Sequence, residues 1–452
     1  MAAINYPQGF RKRRTFNWMS IGFLYASFYM CRYNFRFAVP GLQSEFNFDV
    51  QDVSYIFATW SLAYGTGQLI NGLLTDRIGG KKSLLIGATF TILINFCFGF
   101  SSLVSQFSAF ALLALLNGYF QSFGAPGLVK INAAWFKRQE RGLFSGIFGG
   151  VIQLGQMGIS KLAPFLLNSG LLIGGVVLIN SGNWRSVFIL PPLFTITAAI
   201  VAFFVIAESP AKAGFPGVIE DEVDNSEGER VSIKESFQTI FFHPFVWYYA
   251  AAYACTGGVR HSLDQLSILY FRDQLGFDME NNIPFIASLT LMAMPFFAFI
   301  GSLSAGYISD KYLKGERAPL AAVLYFVEAF TIAIAAILVL NNIVSSDQSG
   351  IIIGCLILVL IALTVNSTHS LVGAAAPMDI GGKKMSGFAC GLIDSFQYYG
   401  GAIAFLITGY ILQATQEESG YLYWYVIMSC FGIIGGTIML MMVRKKSKLS
   451  TL

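Results

Sequence analysis

An all-α integral membrane protein, with twelve transmembrane helices in two pseudo-symmetric halves of six, is the fold class this sequence predicts. Three observations predict it. Of 452 residues, 55% are hydrophobic and only 12% are charged, with a mean hydropathy of +0.61, whereas soluble domains carry roughly a quarter charged residues. The apolar residues fall into twelve runs, each near the ~20 residues a helix needs to cross a bilayer. The cations collect in alternate loops, the pattern that sets orientation in a membrane.

The runs cover residues 16–39, 52–75, 83–102, 105–135, 142–170, 185–207, 243–272, 283–309, 318–342, 349–376, 385–414 and 421–443. Arg11, Lys12, Arg13 and Arg14 precede span 1, which contains Arg32 and lacks a small-residue cleavage site. It therefore reads as a span and not a signal peptide. Arg77, Lys81 and Lys82 follow span 2, Lys137, Arg138 and Arg141 follow span 4, and Lys212, Arg230 and Lys234 follow span 6. Lys311, Lys314 and Arg317 follow span 8, Lys383 and Lys384 follow span 10, and Arg444, Lys445, Lys446 and Lys448 close the chain. The opposite loops carry Glu45, Asp49, Asp347, Glu417 and Glu418 with almost no cations. Both termini are therefore expected on the cytoplasmic side. The long polar stretch after span 6 includes Glu220, Asp221, Glu222, Asp224, Glu227 and Glu229. It reads as a solvated linker, residues 208–242, between an N-terminal half (1–207) and a C-terminal half (243–452).

Several function classes drop out. A net charge of +4 is no argument for nucleic acid. There is no G-x-x-x-x-G-K-[ST] loop, no H-E-x-x-H helix and no G-x-S-x-G elbow, so neither ATP-driven transport nor hydrolysis is expected, and no cofactor or metal. The six cysteines (Cys31, Cys97, Cys255, Cys355, Cys390 and Cys430) lie inside apolar runs without CxxC spacing, which reads as packing.

The halves repeat each other. Gly72, Asp76 and Arg77 after span 2 recur as Gly306, Asp310 and Lys311 after span 8, and Arg32 in span 1 recurs as Arg260 in span 7. Tyr25, Tyr29, Arg32 and Arg36 form one helical stripe, and Tyr253, Gly257, Arg260 and Asp264 form another at the same spacing. Matching polar stripes in two repeats argue for a carrier with its site between the halves, near the bilayer midplane. An arginine there costs on the order of 2.5 to 3.5 kcal/mol on the lenient insertion scale, so it needs a partner or a polar cavity. Two guanidinium groups, one per half, suit a phosphate dianion held by bidentate bonds. The plainer reading is a structural ion pair, such as Arg260 with Asp264 one turn away.

Further polar side chains sit at one-turn spacings: Tyr64 with Gln68, Gln153 with Gln156 and Ser160, Asn366 with His369, and Asp394 with Gln397 and Tyr398. Amides and hydroxyls of this kind suit a polyol or sugar, although helix-to-helix hydrogen bonding explains each equally well. Asp394 is a candidate for a cation partner or for proton or Na⁺ coupling, whereas Glu328 in span 9 reads as structural. Lys130 and Lys161 read as snorkelling or gate-supporting cations.

GLLTDRIGGKK, residues 72–82, resembles the loop signature of the major facilitator superfamily, with Gly80 in place of its first basic residue. The resemblance implies that Gly72, Asp76, Arg77, Gly306 and Asp310 hold and release a cytoplasmic gate. RYNFRFAVPGL (32–42), NGYFQSFGAPGLVKINAAWFKRQERG (117–142) and ESPAKAGFPGVIE (208–220) narrow it further. With Arg260, they are similar to the organophosphate:phosphate antiporter family. That likeness implies phosphate binding by Arg32 and Arg260, inorganic phosphate and phosphate esters as partners, a bacterial cytoplasmic membrane and a working monomer.

The chain departs from the glycerol-3-phosphate carriers of that family. Gln68 stands where they have a lysine, Ile152 beside Gln153 stands where they have a histidine, and span 8 lacks their acid. The expectation is thus a carrier that exchanges a sugar phosphate for inorganic phosphate. Its candidate binding residues are Arg32, Arg260, Tyr25, Tyr29, Tyr64, Gln68, Gln153, His369, Asp394 and Gln397. A membrane sugar-phosphate sensor without flux, and a proton- or Na⁺-coupled carrier of another organic anion, are the alternatives.

Overall fold

The structure, a computed structural model, describes residues 6–100, 106–136, 138–174, 176–219, 233–313, 316–415 and 420–450. Span 1 is two helices, α1 (Phe10–Tyr33) and α2 (Phe35–Phe46). The break at Asn34 goes with contacts to other helices. Its side chain leaves the helix to donate to Asn95 (2.7 Å) and to the carbonyl of Val187 (2.9 Å), and Pro40 inside α2 removes a ladder donor. Arg32 therefore sits in the last turn before a discontinuity.

α3 (Val50–Ile78) starts on a capping box in which Asp49 accepts from the Asp52 amide and Asp52 from the Asp49 amide. α4 (Gly80–Phe100) follows after Gly79, whose φ of 95° needs glycine. Span 4 is also broken, into α5 (Phe107–Gln121) and α6 (Gly124–Trp135). Gly124 lets α6 approach α1 so closely that a Cβ there would fall 2.5 Å from the Tyr25 ring. α7 (Arg138–Ser169) and α8 (Ser186–Val205) complete the N-terminal half. Between them lies a two-stranded antiparallel hairpin, β1 (Leu171–Ile173) and β2 (Val176–Ile179), where the sequence had suggested only a connection.

After a single 3₁₀ turn and α9 (Ile233–Phe241), the C-terminal half runs through α10 (Pro244–Asp273), α11 (Phe285–Tyr312) and α12 (Arg317–Leu340). Next come α13 (Gln348–His369), a π-helical stretch (Ser370–Ala375), α14 (Ala376–Thr415) and α15 (Gly420–Ser450). Helical backbone thus continues through the polar connection expected between spans 10 and 11. The acidic segment 220–229 lies outside the described residues.

Six segments, within α4, α8, α11, α12, α15 and α13 with its π turn, are each long and apolar enough to cross a membrane. α1, α3 and α10, which carry Arg32, Gln68 and Arg260, are not among them. Their polarity is affordable because those side chains are buried against the opposing helices and not in lipid.

Glycines set the spacing inside each half. A Cβ on Gly155 would fall 2.0 Å from the Ala26 carbonyl, locking α7 onto α1. One on Gly400 would fall 1.8 Å from the Ala254 carbonyl, and one on Gly257 1.8 Å from that of Gln397, locking α14 onto α10. Ala26 and Ala254 each precede their half's arginine by six residues, so the repeat read in the sequence is also a repeat of packing. The halves meet where α3 runs along α14 and α7 along α11.

On the cation-rich face, Glu208 accepts from the amides of Gly80 (3.1 Å) and Lys81 (2.8 Å), an anion at the start of α4. On the opposite face the halves are tied across. Arg272 donates to Gln43 (2.7 Å), and the Asn168 amide pairs with both backbone groups of Ile283 (2.9 and 2.7 Å). The described cysteines are free: Cys31, Cys255 and Cys355 are buried, but Cys97 and Cys430 face outward, so packing in a protein core accounts for only part of the set.

Candidate functional site

Arg32 projects into an aromatic enclosure. Its guanidinium lies 4.5 Å from the Tyr29 ring centre, 4.6 Å from Tyr64 and 5.3 Å from Trp60. It donates to the Tyr64 hydroxyl and to the Gln121 side chain, each at 3.1 Å. Gln121 reaches it because span 4 ends its first helix at that residue. Among the described residues, no carboxylate lies within 4 Å of Arg32. A small cavity lies beside it, lined also by Asn34, Trp60, Asn117 and, from the other half, Gln265.

Arg260 has different company. It donates to Gln397 (3.0 Å), which donates in turn to Asp394 (3.2 Å), and its Nε lies 4.0 Å from Asp264. The structural ion pair expected from the sequence is therefore present at the limit of contact. Both Asp264 oxygens are taken by the N-terminal half, one by Tyr33 and one by Gln156, each at 3.1 Å. Arg36, fully buried, donates to the Asp264 backbone carbonyl (2.7 Å) and to Ser160 (2.8 Å). A second, closed-down cavity is lined by Arg260 and Asp264 with Gln153, Gln156 and Asn366.

Aromatic rings join the two sides. Tyr64 packs on Tyr398 at 4.2 Å between ring centres, and Tyr398 packs on His261 at 4.9 Å. Tyr25 reaches the Tyr64 hydroxyl at 3.5 Å. Gln68 and Tyr253 both interact with the Asp394 carboxylate, and Tyr253 shares a 2.7 Å hydrogen bond with His369. The arrangement supplies two separate cations, a set of amides and hydroxyls, and two acids that can compensate charge.

Nine of the sequence candidates, Arg32, Tyr25, Tyr29, Tyr64, Gln68, Arg260, His369, Asp394 and Gln397, thus form one continuous network. Gln153 lies apart from it, in the wall of the second cavity. Of the gating candidates, Arg77 is exposed, and Gly72 and Gly306 have open space where a Cβ would point. The side chains of Asp76 and Asp310 lie outside the described residues. Lys130 binds the Thr75 carbonyl (3.0 Å) at the C-terminal end of α3, whereas Lys161 is exposed and stands 6.0 Å from the ring of Phe285. Glu328 is buried and accepts from Thr368 (3.1 Å), away from this network.

Sequence reasoning missed Trp60, Gln121, Tyr33 and His261. Trp60 could have been found, since it extends the Tyr64–Gln68 stripe by one turn. The others depend on where α1, α5 and α10 come together.

The sequence profile described as Major Facilitator Superfamily matches residues 21–405. The glycerol-3-phosphate transporter of Bacillus subtilis is 27% identical, over 90% of this chain and 87% of its own. The membrane sensor protein UhpC of Escherichia coli is 25% identical over 84% and 82%, and a probable hexose phosphate transport protein of Chlamydia muridarum 25% over 92% and 88%. These relatives bear out the resemblance drawn from the sequence motifs. Among solved structures, a D-xylose-proton symporter superimposes with a TM-score of 0.66 at 14% identity, covering 95% of this chain and 96% of that one. That likeness speaks for the fold alone.

Proposed function

The chain belongs to the Major Facilitator Superfamily, and from that membership we propose that it exchanges a sugar phosphate for inorganic phosphate by alternating access. One observation carries the reading: a buried arginine in each half, at matching positions, each beside a small cavity to which the other half contributes a polar side chain, Gln265 at Arg32 and Gln153 and Gln156 at Arg260. Arg32, whose direct hydrogen-bond partners are neutral and which shares the acid Asp394 with Arg260, supplies a cation for the phosphoryl group. Arg260 supplies a second from the other half, with Gln397 setting its orientation. A phosphate between them makes charge-assisted bonds to both halves and lowers the repulsion of bringing them together. The loaded carrier therefore reorients more readily than the empty one, which is the physical basis of exchange.

Gln153, Gln156 and Asn366 in the second cavity suit the hydroxyls of a sugar, and the absence of a lysine at Gln68 disfavours glycerol 3-phosphate. On this reading Asp76 and Asp310 serve the cytoplasmic gate, both termini face the cytoplasm, and a monomer suffices.

Liposomes preloaded with phosphate test it. Uptake of labelled sugar phosphate that requires internal phosphate supports exchange. Equal uptake without it, or a carboxylate that outcompetes every phosphate ester, overturns it. The UhpC relatives favour one second reading, a sensor, for which the same assay would find tight phosphate-ester binding and no flux.

A further inference from the structure

The hairpin between α7 and α8 has a composition unsuited to water. From Leu162 to Trp184 there is no charged residue, and the strands read Leu-Leu-Ile and Val-Val-Leu-Ile. Leu172 is 62% exposed and pairs across the ribbon with Val177, 56% exposed. Val176 and Leu178, on the opposite face, are as open. Apolar side chains thus project from both faces, so folding one face onto the protein would leave the other bare. A lone two-stranded ribbon is also marginal in water.

Its height in the molecule identifies what covers it. The root is fixed by the Gly182 amide on the Leu167 carbonyl (2.7 Å), just before α8. α8 has 20 residues, about 30 Å at 1.5 Å per residue, which matches the hydrocarbon thickness. Its first residue therefore marks the edge of the lipid tails. Arg185, partly exposed, stands at this level, a residue type that anchors a membrane interface, whereas Trp184 packs inward. Phe165, one turn before the end of α7 and so just inside that level, is 51% exposed, an apolar side chain turned to the lipid.

We propose that the hairpin is a lipid-binding element, seated among the headgroups and upper acyl chains of the leaflet on the cation-poor side. It stops there because the outer edges of a two-stranded ribbon keep unpaired backbone groups that the hydrocarbon core does not tolerate. Asn168, which ties the halves through Ile283, lies next to the root, so the membrane holds one end of that tie. The inference is independent of which substrate the carrier takes.

Spin labels on V177C and, for the other face, L178C test it in vesicles of phosphatidylethanolamine and phosphatidylglycerol. A label on N282C, at an exposed polar loop position on the same side, and the unsubstituted protein serve as references. Both hairpin labels should relax more with oxygen than with an aqueous nickel chelate, and the label at 282 should do the reverse. Nickel-dominated relaxation at 177 and 178 would show that water covers the hairpin. Shielding from both agents would show a protein partner, and broadening between labels a second copy. Any of these three results overturns the proposal.

Discussion

Arg32 and Arg260 occupy matching places in the two halves and have unlike neighbours. Arg32 is enclosed by Tyr29, Trp60 and Tyr64 and bonded to neutral oxygens. Arg260 stands among acids, Asp264 at 4.0 Å and Asp394 through Gln397. The repeat preserved the cation and let its surroundings diverge. The N-terminal half holds a charge whose direct partners are all neutral, while the C-terminal half holds one with a carboxylate on the same helix.

The contrast orders the expected effects of substitution on the proposed phosphate binding. Arg32→Lys should cost most, about 100-fold or more in affinity. It loses two charge-assisted bonds worth about 1.5–3 kcal/mol each, and lysine cannot recreate the fork. Arg260→Lys should cost roughly tenfold, since Asp264 at 4.0 Å already offsets part of that charge; equal losses in a competition assay with labelled phosphate would erase the asymmetry. Asp264→Asn should tighten phosphate binding roughly fivefold by removing a competing anion at Arg260, and weaker binding would mean that its bonds to Tyr33 and Gln156 matter more than its charge. Tyr64→Phe, which keeps the ring and removes the hydroxyl that holds the Arg32 guanidinium in place at 3.1 Å, should weaken binding about threefold.

The smallest effect concerns the outer surface of the N-terminal half. The Glu45 carboxyl is held below its ordinary 4.5 chiefly by the hydrogen bond from Arg185, with Trp184 also donating. A lowered carboxyl stabilises the fold above the unfolded value and loses that contribution as pH falls through the lowered one. The thermal midpoint should therefore dip slightly below about pH 4.5, and Glu45→Gln should remove the dip while leaving both arginine effects intact. Because the pair is exposed, salt should shrink it further.

The sequence made the spans legible because hydrocarbon thickness and loop charge are one-dimensional constraints. It also marked both arginines, since an arginine without an acid in span 1 is visible in a linear chain. The breaks at Asn34 and at Ser122–Phe123 were not visible, because each depends on partners in other helices, Asn95 and Val187 for the first and Asn71 for the second. The hairpin was hidden for another reason: a short apolar run bounded by glycine has no period that separates strand from helix. Tyr33 and Gln156 could not be assigned to Asp264, since a contact across the halves leaves no trace in local spacing.

Gly155, Gly257 and Gly400 bear on motion as well as on position. With backbone against backbone at these points, α1 cannot slide on α7, nor α10 on α14, without a collision that no side-chain rotation relieves. Each arginine therefore travels with its paired helix like a tooth fixed to a gear. On the proposed alternating access, what changes between states is how the two gears mesh, at the seams of α3 with α14 and α7 with α11, and a probe set across those seams should register the turnover that one placed inside either pair would miss.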